Sequence, residues 1–183
     1  MSGNLFFAVG MARSGKSTAC KKWAYGDADI VDGIMIDDNT PYRNRIITSP
    51  RVVVSADAIR LTITGQEWFL PAEPQIYSVY YTMIRTLLSQ NYDVLADETN
   101  TSDASIAKLL EIDMHASFFL QYTSLKTCLE RAIETNTPEL VPVISRHYKN
   151  LVGNLTSINQ STILTYTQQR IQNITLALLN QKI

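Results

Sequence analysis

Cysteine is scarce. Cys20 and Cys128 are the only two in 183 residues, with no CxxC spacing and no histidine at zinc-site distance. Neither a disulfide framework nor a structural zinc site is therefore expected. An excess of charge of one sign is also missing: 16 Lys and Arg stand against 17 Asp and Glu, a formal net charge of −1. That balance excludes a chain that coats nucleic acid by bulk charge, though not one with a local basic groove. No apolar run reaches the ~18 residues of a membrane span. The opening MSGNLFFAVGMARSGKS has neither the basic n-region nor the long apolar core of a secretory leader. The expectation is a reduced, cytoplasmic protein with no membrane contact. At this length a fold buries roughly 70% of the unfolded chain's surface, enough for one domain without covalent staples.

What is present alternates. Leu5 to Val9 is a short apolar run ending at Gly10, as a buried parallel strand would be. A helix is expected over Lys16 to Tyr25, and a second strand at Val52 to Val54. Positions 26–50 between them are polar and turn-rich and read as an insertion. Ile76, Val79, Tyr80, Met83, Ile84, Leu87 and Leu88 repeat at helical spacing, predicting a helix over Gln75 to Gln90 with Pro74 just inside its start. A strand at Asp93 to Ala96, a helix at Asp103 to Met114, a strand at Ala116 to Tyr122 and helices at Leu125 to Glu134 and Pro142 to Leu151 follow. Strands alternating with helices predict an α/β fold, a parallel sheet of four or five strands flanked by helices on both faces. The main domain is expected over 1–152. A helical or mixed extension at 153–183 would pack on it, offering a surface for a second copy of the chain. After Glu139 no acid occurs, while Arg146, Lys149, Arg170 and Lys182 are basic.

Gly10-Met-Ala-Arg13-Ser14-Gly15-Lys16-Ser17 satisfies G-x-x-x-x-G-K-S. Glycines at those positions let the backbone curl so that successive N–H groups point at one phosphate chain, and the helix that follows adds its positive end. Lys16 then reaches the β- and γ-phosphates and the Ser17 hydroxyl binds magnesium, with Thr18 one residue further into the helix. A chance match in a chain of this length is on the order of one in a hundred from average residue usage. ATP and Mg²⁺ are the implied cofactors. Arg13 stands where another glycine is common, and either leans on the phosphates or faces solvent.

Three further places carry candidates. Asp57 follows the second strand and Arg60 stands three residues later, at the strand ends where open α/β sheets bind ligands. Asp57 is placed to take the proton of an attacking hydroxyl and Arg60 to fork onto an acceptor phosphate. The plain alternative is an N-cap aspartate with a solvated arginine. Asp97 and Glu98 close the third strand, Asp97 as a magnesium-shell acid with Glu98 in reserve; a turn rich in capping residues is the alternative. Arg131, on a helix that feeds a turn-rich and mobile segment, is placed to neutralise charge on a transferred phosphoryl group, against a plain surface pair with Glu134. Arg146 and His147 read as surface or nucleotide-edge residues, and His115 as structural.

Together GMARSGKS, SADAIR, ADETN, LERA and VPVISRHYKN resemble the kinase domain of phage-type polynucleotide 5′-kinases, from about Leu5 to Leu151. The resemblance implies the P-loop kinase fold, ATP and magnesium at Lys16 and Ser17, and a general base for a nucleic-acid hydroxyl at Asp57. It also implies an acceptor-phosphate ligand at Arg60, a strand-end acid at Asp97 or Glu98, and a lid arginine at Arg131. The pattern departs in three ways. Thr135 stands where a second lid arginine would be, some twenty extra residues separate Ser17 from Asp57, and no D-x-D-G-T phosphatase motif follows. The implied partner is a polynucleotide 5′-OH end, with Arg43, Arg45, Arg51, Arg146 and Lys149 as candidate phosphate contacts. Rival readings are a kinase of a nucleotide, small metabolite or modified DNA base, and a nucleotide-binding module that only hydrolyses ATP slowly.

Overall fold

The computed structural model describes residues 3–31, 33–37, 50–66 and 69–156. Strand β1 (Leu5–Val9) leads into helix α1 (Lys16–Tyr25), then a hairpin of β2 (Ala28–Val31) and β3 (Ile34–Asp37). Strand β4 (Arg51–Ser55) runs directly into α2 (Ala56–Thr64), and a short 3₁₀ turn (Leu70–Ala72) precedes α3 (Glu73–Ser89). After it come β5 (Asp93–Asp97), α4 (Asp103–Leu110), β6 (Ser117–Leu120), α5 (Leu125–Glu134) and α6 (Leu140–Thr156). Among the described residues no helix is long and apolar enough to cross a membrane.

The main sheet has the order β4-β5-β1-β6, and all three of its pairings are parallel. Strand side chains alternate between its faces, so each strand feeds two cores. Leu5, Phe7, Val9, Val54, Val94, Ala96 and Phe118 pack with Ile59, Ile76, Tyr80, Ile84, Leu88, Ile106 and Leu109 from α2, α3 and α4. Ala8, Leu95 and Phe119 pack on the other side with Cys20 and Trp23 of α1. Apolar residues on both sides of every strand are why the strands read as uninterrupted hydrophobic runs. Of the four or five strands expected, the parallel sheet has four, with helices on both faces.

Differences lie at the edges. The segment read as a turn-rich insertion contains the β2–β3 hairpin, turning at Gly33 (φ 80°). Its turn meets the sheet where Leu120 N–H donates to the Gly33 carbonyl at 2.9 Å, along the outer edge of β6. Helix α3 buries Ile76, Tyr80, Ile84 and Leu88, while Val79 and Met83, expected in the same stripe, are exposed. Helix α4 stops at Leu110 because Asp113 organises a turn, accepting from Ala116 N–H at its carbonyl and from His115 N–H at Oδ1. Helix α6 begins two residues before Pro142, which then falls in the first turn, where a missing N–H costs no bond. It continues through Thr156, across the boundary expected at 152. The remainder of the extension, with Arg170 and Lys182, and the insertion arginines Arg43 and Arg45 lie outside the described residues.

Candidate active site

The carboxyl ends of all four parallel strands converge on one place. β1 delivers Gly10 to Ser17, β4 delivers Asp57 and Arg60, β5 delivers Asp97 and Glu98, and β6 delivers Gln121 and Thr123.

The loop after β1 is squeezed between its neighbours. Gly10 N–H donates to the Thr99 carbonyl at 3.0 Å, and a Cβ at position 10 would lie 2.7 Å from the Gln121 carbonyl oxygen. That close approach, rather than turn flexibility, is what demands glycine here. Gly15 (φ 97°) supplies the left-handed step into α1, and no side chain caps that helix. Its first-turn N–H groups have no intrahelical partner by geometry and form, with the helix dipole, a cradle for an anion. Thr123 Oγ1 donates to the Ser14 carbonyl at 2.8 Å. Ser14 itself is buried, and its Oγ has no hydrogen-bond partner.

Lys16 is buried, and its ammonium donates to the Met11 carbonyl at 2.7 Å. Burial pulls its pKa down, opposed by the charges of Asp97, Glu98 and Asp57 among others. Asp97 hydrogen-bonds Ser17 and Cys20, and burial pushes its carboxyl pKa up, partly offset by Ser17 and Lys16. Glu98 is raised by burial as well, with its Oε1 taken by Thr99 N–H at 3.0 Å and Thr99 Oγ1 at 3.3 Å. The two acids are thus distinguished: Asp97 faces the loop serine, and Glu98 is tied into its own turn. Asn100 (φ 43°) is buried, and its amide donates to the Ala8 carbonyl of β1 at 2.9 Å. The Thr-Asn pair therefore stitches β5 to β1.

These groups fit a nucleotide bound with a divalent ion. The orphaned Ser14 Oγ and the glycine cradle suit phosphate oxygens, and Ser17 with Asp97 offers the hard oxygen ligands of magnesium. Among the described residues no group of three or more His, Cys, Asp or Glu forms a metal cage, so such an ion would share its shell with phosphates and water.

At the end of β4 Ser55 caps α2, its Oγ accepting from Ala58 N–H, which leaves Asp57 in the first turn. The Asp57 carboxyl is 86% exposed and accepts from Arg60 Nη1 at 2.5 Å. Arg60 is buried and forks onto Glu73, Nε to Oε1 at 2.6 Å and Nη2 to Oε2 at 3.1 Å. An acceptor phosphate at Arg60 would have to share that fork with Glu73. Glu73 went unnoticed in the sequence because nothing local marks a carboxylate thirteen residues away as the partner. Tyr77, one turn along α3, is half-buried, its hydroxyl pKa raised by burial and by Glu98 and Glu73.

The expected lid sits on the loop. Arg131 Nη1 donates to the Arg13 carbonyl at 3.1 Å rather than pairing with Glu134, while Arg13 (φ 63°) donates from Nη2 to Thr137 Oγ1 at 3.1 Å. Met11 packs with Cys128, Ala132 and Ile144 of α5 and α6. His147 Nδ1 accepts from Ala12 N–H at 3.4 Å, and burial with the charges of Lys16 and Arg146 pulls its pKa down to about 4. Arg51, a candidate phosphate contact in sequence, instead braces α1 and β2: Nη1 donates to the Trp23 and Ala28 carbonyls, Nη2 pairs with Asp29, and the guanidinium lies over the Trp23 ring.

The fold is α/β, a four-stranded parallel sheet flanked by helices, with the G-x-x-x-x-G-K-S loop after its first strand. No protein-family model matches the chain, and no curated protein matches it in sequence. Among solved structures, one chain of "Structure of the Pnkp1/Rnl/Hen1 RNA repair complex" superposes with a TM-score of 0.62 at 20% identity, covering 83% of this chain and 45% of that one. The present chain thus spans less than half of that chain's length. "Crystal structure of APE1195" superposes with a TM-score of 0.51 at 14% identity, covering 100% of this chain and 97% of that one. A gluconokinase from Sinorhizobium meliloti 1021 gives 0.49 at 14% identity, with 98% of each chain covered.

Proposed function

We propose that the chain is an ATP-dependent phosphotransferase acting on a hydroxyl of a nucleic acid, a 5′-OH end being the favoured acceptor. The observation that carries this reading is the placement of Asp57. It is an exposed carboxylate held by a buried arginine, at the strand end beside the P-loop and within electrostatic reach of Lys16. The likeness in fold to a chain of an RNA repair complex supports the nucleic-acid acceptor.

In this reading ATP with Mg²⁺ supplies the transferable phosphoryl group. Lys16, the α1 N-terminus and Ser14 hold its phosphate oxygens, while Ser17 and Asp97 hold the ion or its water ligands. Asp57 accepts the proton of the acceptor hydroxyl as its oxygen attacks, so that alignment and charge neutralisation carry most of the rate. Arg60 keeps the Asp57 carboxylate aimed outward, and its own charge is balanced by Glu73. Arg131 anchors the loop through the Arg13 carbonyl and is the residue this reading assigns to neutralise charge on the transferred phosphoryl group.

A second reading, a kinase of a nucleotide, small metabolite or modified DNA base, is favoured by the Arg60–Glu73 fork, which competes with any acceptor phosphate there. Labelled γ-phosphate transfer to 5′-OH DNA, 5′-OH RNA, mononucleotides, nucleosides and gluconate separates the two. Transfer to oligonucleotides above all others is expected. A mononucleotide or metabolite that outcompetes every oligonucleotide would replace the first reading with the second. ATP turnover indifferent to all acceptors would leave a nucleotide-binding module.

A further inference from the structure

The contacts of the P-loop with α5 and α6 carry one inference beyond the assigned roles. Residues 11 to 13 are held from that side by four different means. Met11 is buried among Cys128, Ala132 and Ile144. Ala12 N–H donates to His147 Nδ1, the Arg13 carbonyl accepts from Arg131, and the Arg13 guanidinium reaches Thr137. Arg13 occupies a left-handed conformation that costs a non-glycine residue of order 1 kcal/mol or more, so these contacts must hold it there. The side chain at the unusual loop position reaches the α5–α6 connection through Nη2, while its Nε is buried without a hydrogen-bond partner.

We propose that His147 is a positioning residue of the nucleotide site, acting from α6 to hold the Met11–Ala12 peptide, whose carbonyl accepts from Lys16, in the shape that receives ATP. An imidazole that accepts a hydrogen bond at Nδ1 carries no proton on that nitrogen, so the ring is neutral with its hydrogen on Nε2. Burial and the positive charges that face it, Lys16 from α1 and Arg146 from its own helix, favour that neutral form. A lysine or arginine at 147 could not accept from Ala12, whereas a carbonyl-bearing side chain could. Residue type at this position is thus constrained by its acceptor, not by its bulk.

The inference rests on the P-loop reading and is tested by nucleotide binding alone, without any acceptor. The dissociation constant of a fluorescent ATP analogue with magnesium is measured for the wild type, His147→Phe, His147→Ala and His147→Asn, together with each melting temperature. His147→Phe keeps a ring but loses the acceptor and should weaken binding about 5-fold, as loss of one hydrogen bond implies. His147→Asn offers an amide oxygen and should bind within about 2-fold of wild type by the same measure. With transfer as readout, KM for ATP should rise in His147→Phe while KM for the acceptor stays put. Equal affinity of His147→Phe and wild type, or equal weakening in the Phe and Asn variants, would overturn the inference and leave the kinase reading standing. A wild type that does not bind ATP at all would overturn both. Should His147→Ala fail to fold, the Phe and Asn pair decides.

Discussion

The Arg60 guanidinium and the Glu73 carboxylate meet in a two-point fork, 2.6 Å and 3.1 Å, with the arginine almost wholly out of solvent. Removing Glu73 strips the buried guanidinium of two hydrogen bonds and leaves its charge balanced mainly by the exposed Asp57, a loss that exceeds what the pair itself contributes. Glu73→Ala should therefore destabilise the protein by about 3 kcal/mol, lowering the melting temperature by about 6–12 °C for a domain of this size. Glu73→Gln keeps one acceptor and should lose less. Thermal unfolding followed by circular dichroism measures both, and a Glu73→Ala protein as stable as wild type would contradict the buried fork.

Asp57 should behave in the opposite way, since its carboxyl is exposed and contributes little to packing. Asp57→Asn is expected to fold with an unchanged melting temperature and to lower kcat by about 10²-fold or more, the scale of a general base. Steady-state transfer kinetics and a melting curve on the same preparation check the dissociation of activity from stability.

Asp97 is buried at the end of β5. Its carboxyl pKa lies above the ordinary value of 3.8, so the folded state keeps a proton that the unfolded chain has already released. Stability contributed by this group declines as pH rises through that window. Asp97→Asn should consequently raise the stability of the nucleotide-free protein at neutral pH while removing activation by magnesium. With Asp97 in the proposed magnesium role, protons and Mg²⁺ would compete for the same oxygens, so magnesium affinity should fall as pH drops toward the raised pKa. Magnesium titrations of transfer from pH 5 to 8 test this.

His147 titrates with the reverse sign. Its pKa is depressed to about 4 from 6.5, so its contribution to stability is complete above pH 6.5 and is lost as pH falls from there toward 4. The difference in melting temperature between wild type and His147→Asn should be constant above neutrality and shift against the wild type in acid. A difference independent of pH would mean that the imidazole is not held neutral.

Gly10→Ala is the severest single change expected in the loop. The added Cβ would meet the Gln121 carbonyl, which is backbone and cannot swing aside. Loss of nucleotide binding with a folded core is the expected result, read by the fluorescent analogue and by circular dichroism.

Much of this site was legible before any coordinates, for reasons specific to each part. The P-loop announces itself because its chemistry depends on residues within eight positions, and the strands because both their faces are buried. The strand-end positions of Asp57 and Asp97 follow from topology once the strands are placed. Glu73 as the partner of Arg60, and the bond of the nucleotide-edge candidate His147 to Ala12, were hidden because the partners lie 13 and 135 residues apart, and no periodicity records such pairings. The lid segment was read as mobile from its turn residues; the hydrogen bonds of Arg13, Arg131 and Thr137 that fasten it to the loop cannot be seen in composition. The β2–β3 hairpin was missed because its aspartates and Gly33 resemble a loop, and its stabilising contacts come from Trp23, Arg51 and the edge of β6.

That hairpin has a bearing on how the chain tolerates shortening. An unguarded outer strand is a template onto which another polypeptide can add itself, and β6 is the last strand of its sheet. The Gly33 carbonyl takes up the Leu120 N–H that such an addition would use. Trimming the segment between α1 and β4 to the length of a simple connection would uncover that N–H. A shortened protein would then trade monodispersity for compactness, self-associating through β6 even while its nucleotide site remained whole.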